Sequence, residues 1–197
     1  NLQVALGATV IGRTDDTPLY LSSNLAYNSD WKYIANTTAT QVRLDTNIKF
    51  FTAPAGTAGN TATLSEAMRI DSSGNLLVGT TDSDPNNNSA NTSADDGFAV
   101  TSNVLRVAKY NDNAAVFNRT GSDGAILQLR KSGITVGSIG VGDGDNLYIS
   151  GHASSTKGLY FNDDTIGPAA NGYNFSDNTT NLGAPSYRFK DLYLSGT

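Results

Sequence analysis

Residues 65–81 read Ser65-Glu66-Ala67-Met68-Arg69-Ile70-Asp71-Ser72-Ser73-Gly74-Asn75-Leu76-Leu77-Val78-Gly79-Thr80-Thr81, and the punctuation of that stretch decides the fold. Met68 and Ile70 alternate with Arg69, the turn residues Asp71-Ser72-Ser73-Gly74 interrupt, and Leu76-Leu77-Val78 resumes. Apolar residues at period two, in runs too short for a helix and bounded by Gly, Asn, Asp or Ser, specify antiparallel strands joined by tight turns. Gly74 supplies the positive φ such a connection needs. The alternation recurs at Leu19-Tyr20-Leu21, Val42-Arg43-Leu44, Ile48-Lys49-Phe50, residues 125–130, Leu147-Tyr148-Ile149 and Leu159-Tyr160-Phe161. Lys131-Ser132-Gly133 and Gly142-Asp143-Gly144-Asp145 supply further turns. Thr63–Met68 is the one helical candidate, with Ser65 and Glu66 placed to start a turn.

Composition agrees with an all-β chain. Of 18 acidic residues only Glu66 is a glutamate, and 20 glycines accompany a heavy load of Asn, Ser and Thr. Glu favours helix while Asp, Asn, Ser and Gly favour turns and caps, so a helical bundle is excluded. No apolar run reaches the roughly 18 residues of a membrane-spanning helix. The 197 residues contain no cysteine, which excludes a disulfide or thiolate–metal framework. A net charge of -5 without a Lys/Arg cluster argues against a nucleic-acid partner. Asn1, with no charged-then-apolar leader after it, leads to the expectation that the chain is a piece of a longer protein.

Residues 81–96 (TDSDPNNNSANTSADD) hold nothing apolar larger than alanine and proline, too little to offset the entropy of ordering; a polar linker or long surface loop is expected there. It would divide an N-terminal β module (1–80), ending in a shaft-like segment, from a C-terminal β module (97–165), with a turn-rich tail at 166–197. A β module of about 70 residues buries only around 60% of its unfolded surface and is marginal alone. Poor in large aliphatics and without disulfides, such modules complete a core most economically by sharing it between copies. A homotrimer about a long axis is the expectation drawn from that shortage.

The sequence resembles bacteriophage tail fibres and related virion structural proteins. The resemblance is carried by residues 65–81, by Trp31-Lys32-Tyr33-Ile34 and by residues 51–60 (FTAPAGTAGN). Phe117-Asn118-Arg119-Thr120 with Ser122-Asp123-Gly124, Val136-Gly137-Ser138-Ile139-Gly140, and residues 182–196 (LGAPSYRFKDLYLSG) extend it over most of residues 18–195. In such proteins the last motif often precedes a C-terminal intramolecular chaperone that trimerises the fibre and cleaves itself off; its sequence is missing here. The resemblance implies an elongated fibrous homotrimer with short antiparallel strands, small β modules and interwoven shaft segments. It further implies an extracellular virion component, partnered by other tail proteins and by a glycan or protein of the host-cell surface, without membrane insertion. Met68, Ile70, Leu76, Val78, Leu127, Leu129, Leu147, Ile149, Phe189, Leu192 and Leu194 are the expected trimer or core packing positions.

Chemistry-bearing residues are few. Asp143, Asp145 and Asn146 are a candidate oxygen-ligand set for a hard cation, but the Glu that completes a calcium loop is absent and a glycine-flanked hairpin tip explains them. His152, the only histidine, lies among small residues that read as a loop. No G-x-S-x-G elbow is present, and no Asp sits in the apolar setting that raises a carboxyl pKa for general-acid work. Neither a catalytic residue, a cofactor nor a metal site is expected. Trp31, Tyr33 and Tyr148 are the candidate glycan contacts, since their rings would stack on sugars, although strand aromatics more often pack. The rival functions are a tailspike-like polysaccharide depolymerase and a bacterial surface adhesin or filament subunit.

Overall fold

The computed structural model describes the chain apart from residues 1, 6–7, 13–17, 88–91, 94–95, 152–156, 171–173, 178–179, 192 and 194–197; for 2–5, 8–10, 12, 174 and 175 it defines the backbone path alone. The protein is all-β and divides into two bodies, Asn1–Ala115 and Val116–Thr197.

The first body is a nine-stranded antiparallel meander. Along the chain run β1 (Leu2–Ala5), β2 (Ala8–Gly12), β3 (Leu19–Ser23), a separate hairpin of β4 (Leu25–Tyr27) and β5 (Trp31–Tyr33), then β6 (Ala39–Leu44) and β7 (Ile48–Ala53). They are followed by β8 (Ser65–Ile70), β9 (Leu76–Val78), β10 (Gly97–Thr101) and β11 (Val104–Ala108). Omitting the hairpin, each strand pairs with its sequence neighbour. The turn at 71–74 forms as its residues dictate: the Asp71 carboxylate accepts the Ser73 and Asn75 N–H groups, and Gly74 takes φ +80°.

Two expectations are corrected here. Thr63–Met68 is not helical; Ser65–Ile70 is β8, with Glu66 opposite Phe51, Met68 opposite Phe50 and a bulge at Ala67 between them. A single helical turn fixes many dihedrals for one hydrogen bond, whereas a ladder continues on both sides. The chain also does not divide at 81–96. Val78 of β9 pairs with Phe98 of β10, so that stretch joins two paired strands of one sheet, and within it Pro85–Asn87 form a 3-10 turn with Pro85 buried. The division falls after Ala115, beyond the strand that pairs back on β10.

Among the described residues an enclosed cluster stabilises the first body. Asn24, in the left-handed region at φ +58°, turns the chain out of β3 into the hairpin. Its amide donates to the carbonyls of Ala35, Thr37 and Thr38 at 3.1, 3.2 and 3.0 Å, and its Oδ1 accepts the Ala35 N–H at 2.7 Å. Held this way, the hairpin seats Leu25 and Tyr33 on Ala39 and Ala53, with Ala62 beside them. The Tyr33 hydroxyl donates to the Pro54 carbonyl, and its ring lies over Gly56, where a Cβ would come within 2.1 Å of it.

The second body is a six-stranded antiparallel meander: β12 (Gly124–Lys131), β13 (Ile134–Gly142), β14 (Asn146–Gly151), β15 (Lys157–Phe161), β16 (Ile166–Ala170) and β17 (Asn174–Phe175). The sequence-defined tail therefore begins inside this sheet. Tyr148, Tyr160 and Ala169 are its buried cluster. The Tyr160 hydroxyl donates to Gly142 O at 2.8 Å, and Tyr148 lies across Gly140, where an added Cβ would meet its hydroxyl at 2.7 Å. Tyr148, Tyr160 and Ala169 are buried on that side of the sheet.

Candidate self-association surface

Residues directly opposed in a ladder share a face of the sheet. In the first sheet one row runs Leu21, Val42, Phe50, Met68, Val78, Phe98, Val107 through β3 and β6–β11. The row two residues along each strand runs Leu19, Leu44, Ile48, Ile70, Leu76, Val100, Leu105 through the same strands. Fourteen consecutive ladder positions are aliphatic, Phe or Met, and none carries a charge. A row of hydroxyls, Ser23, Thr40, Thr52 and Ser65, borders this stripe on one side.

The opposite face is mixed. One row runs Ile11, Tyr20, Arg43, Lys49, Arg69, Leu77, Ala99 and Arg106, and Ser22, Gln41, Phe51 and Glu66 lie in the next. Three cations opposite one another on adjacent strands would repel; carboxylates between them remove the repulsion. Asp45 takes Arg43 at 2.8 Å and Lys49 at 3.0 Å, and Glu66 forms a two-pronged pair with Arg69. Burial pushes the Asp45 carboxyl up, but the Asn47 N–H, Lys49 and Arg43 together outweigh it and hold the group below the ordinary carboxylate range.

Burial is concentrated on the mixed face. Tyr20, Ser22 and Gln41 there are 6%, 7% and 4% exposed, and Ile11, Leu77 and Ala99 are buried with them. Leu21 and Ile48 on the aliphatic face are 42% and 40% exposed. The second sheet likewise leaves its aliphatic rows open. Leu127, Ile139, Ile149, Leu159 and Pro168 form a row across β12–β16, flanked by Val141, Leu147, Phe161 and Ile166 across β13–β16. Leu147, Ile149, Leu159 and Ile166 are exposed, while the tyrosine face behind them is closed.

Contiguous apolar patches of this extent on a folded chain mark association sites.

Eight of the expected packing positions fall on these stripes: Met68, Ile70, Leu76 and Val78 on the first sheet; Leu127, Leu147 and Ile149 within the second sheet's rows, with Leu129 exposed on the same face opposite Gly137. Phe189 is exposed in an irregular segment, and Leu192 and Leu194 lie outside the described residues. Leu19, Leu21, Val42, Phe50, Phe98 and Leu159 belong to the surface too, and their signal was the same alternation. As glycan contacts Tyr33 and Tyr148 are corrected: at 5% and 2% exposure neither offers a ring face to a sugar. Trp31 is half-buried, tilted against Tyr20 at 5.1 Å and edge-on to Tyr27 at 5.3 Å, which is a packing arrangement.

The described residues hold no group of three or more His, Cys, Asp or Glu placed for a metal, and no helix long and apolar enough to cross a membrane. Asp143 occupies a left-handed turn position at φ +52°, and the neighbouring Gly144 N–H is taken by Asp123. His152 lies outside the described residues. Asp71 and Asp96 are held below the ordinary carboxylate range, by hydrogen bonds from Asn75 and from Lys109 respectively. That is the direction opposite to a general acid. No protein family, no curated protein and no solved structure matches the chain.

Proposed function

We propose that the chain is a structural and adhesive subunit of a bacteriophage tail fibre, a homotrimeric rod that carries contacts to the host-cell surface. The observation that supports this reading is the pair of sheets whose aliphatic faces are open while their opposite faces are closed. A subunit built this way finishes its core only in company. Sharing the core stiffens the assembly, and a rigid rod with three copies of each distal contact turns weak binding into firm attachment, because the second and third contacts are intramolecular. The resemblance of residues 65–81 and 182–196 to fibre segments points the same way. The test has two parts. Sedimentation at micromolar concentration is expected to give three times the chain mass, and mass spectrometry of purified virions is expected to find the chain in the particle. A folded, stable monomer sinks the rod, and absence from virions sinks the fibre assignment.

A further inference from the structure

We infer that the bond from Phe117 to Asn118 is a processing site, cut in the folded chain by an endoprotease that selects a large aromatic side chain on the acyl side of the bond. The inference goes beyond the proposed function and does not rest on it.

Residues 109–123 are all exposed, and 115–120 belong to no strand, helix or turn. Among the described residues, no backbone hydrogen bond involves the N–H or carbonyl groups of residues 114–118. An endoprotease holds its substrate as an added strand, through main-chain hydrogen bonds, while a pocket takes one side chain. Exposed, unpaired segments are where nicking concentrates. Phe117 is 57% exposed and Val116 77%, so the ring is offered together with free backbone. Phe98 and Leu105 are exposed as well, but they sit in paired strands, and their bonds open only when the ladder does.

The neighbouring residues decide the specificity. Lys109 Nζ donates to Asp96 Oδ2 at 2.6 Å and the Tyr110 N–H to Asp96 Oδ1 at 2.6 Å, so a cut after either has to break that clasp. The Arg119 guanidinium is folded back on its own turn. It donates to Ser122 O at 2.6 Å, to Ser122 Oγ at 3.2 Å and to Ala125 O at 3.4 Å. It also lies over Gly124, where an added Cβ would stand 3.0 Å from Arg119 Cζ. A protease with an acidic pocket must pull that side chain away, whereas one with an apolar pocket meets Phe117 directly. Hydrolysis breaks the bond between the Phe117 carbonyl carbon and the Asn118 nitrogen. Water supplies the hydroxyl to the carbon and a proton to the nitrogen, leaving a carboxylate and an ammonium. The bond lies just beyond the division after Ala115, so every strand of both sheets stays whole. Phe189 and Tyr193, at 65% and 90% exposure, lie near the C-terminus, where a cut trims the tail alone.

Limited digestion of the purified chain with chymotrypsin, read by intact mass, tests the inference, with trypsin as the comparison and urea below the unfolding transition as a second axis. A site taken in the folded state is cut at a rate that urea leaves unchanged; a cut that needs opening follows the opened population and rises with urea. Fragment 1–117 is expected at a rate flat in urea. Relative to the fully unfolded chain, trypsin is expected to release 1–119 about tenfold more slowly or worse, the effect of breaking a hydrogen bond from a charged group. Phe117→Ser should keep the circular dichroism of the wild type and lose fragment 1–117. A 1–117 fragment that forms only as urea opens the sheets, or a cut after Arg119 as fast as that after Phe117, overturns the site. Sedimentation separates this result from the assembly: a trimer that withholds 1–117 removes this inference alone, and a monomer that releases it removes the trimeric reading alone.

Discussion

Asn24 does the work of a small domain-closing device. One side chain satisfies three carbonyls and one N–H from a segment 11 to 14 residues away, in a backbone conformation that costs asparagine little. Truncation takes the donor from Thr38 O and the acceptor from the Ala35 N–H, while Ala35 O keeps the Thr37 N–H and Thr37 O the Gly56 N–H; an unsatisfied buried polar group costs about 1–3 kcal/mol. Asn24→Ala is expected to lower stability by about 3 kcal/mol, read as a drop in the urea midpoint. Asn24→Gly separates the causes. It keeps the φ and loses the bonds, so a loss nearly as large assigns the effect to the amide, and wild-type stability would assign it to backbone strain.

Asp45 gives a second residue-scale expectation. Its native carboxyl ionises below the unfolded one, so its contribution is complete above the unfolded value near about 3.9 and fades as pH falls through the lower native value. Urea midpoints should be flat from neutral pH to about 4 and fall below it. Asp45→Asn should start lower at neutral pH and fall less steeply in acid. Parallel curves for the two proteins would show that the Arg43–Asp45–Lys49 cluster does not set the acid limb.

At the scale of elements, glycine decides how closely strands approach. A Cβ on Gly140 would stand 2.2 Å from Gly124 O and 2.7 Å from the Tyr148 hydroxyl. The clash meets backbone of β12 as well as the ring that covers the sheet. Gly140→Ala is therefore expected to destabilise the second body by about 1–3 kcal/mol, as overpacking does, and to expose Tyr148 to quenchers. Gly133, in a turn with nothing near its Cβ position but φ +79°, makes a useful comparison: Gly133→Ala costs backbone strain alone and should leave tyrosine quenching unchanged.

The same elements show what the sequence could tell. Period-two alternation located Met68, Ile70, Leu76 and Val78 on one side of a ladder because side-chain direction in a strand is a local property. Which side would be closed is not local. It depends on a hairpin at 25–33 that brings Trp31 against Tyr20, and on Tyr148 lying across Gly140 of the neighbouring strand. The aromatic reading of Tyr33 and Tyr148 failed for that reason: their sequence neighbours give no sign of Gly56 or Gly140 beneath the rings. Likewise, residues 81–96 do look unable to pack, and they do not separate domains, since the pairing of Val78 with Phe98 is a contact across twenty residues of chain.

For the whole molecule, the absence of charge on both stripes makes a testable statement about the force by which copies would associate under the proposed function. Contacts between aliphatic surfaces are not screened by salt, and excluded salts such as sulfate strengthen them. Charge-mediated association weakens as the Debye length shortens from about 10 Å at 0.1 M to about 3 Å at 1 M. Sedimentation in sodium chloride and then in sodium sulfate should show an assembly unchanged in the first and tighter in the second. Leu147→Asp carries the test to a single site. Leu147 is 45% exposed in the isolated chain, so an aspartate there reaches water and the second sheet keeps its fold. Closed between copies, the same carboxylate would be buried without a partner, at a cost on the order of 3–5 kcal/mol for each copy. The variant should retain its β-sheet circular dichroism and dissociate at concentrations where the wild type stays assembled. An assembly as heat-resistant as the wild type would mean that this face of the second sheet is not closed between copies.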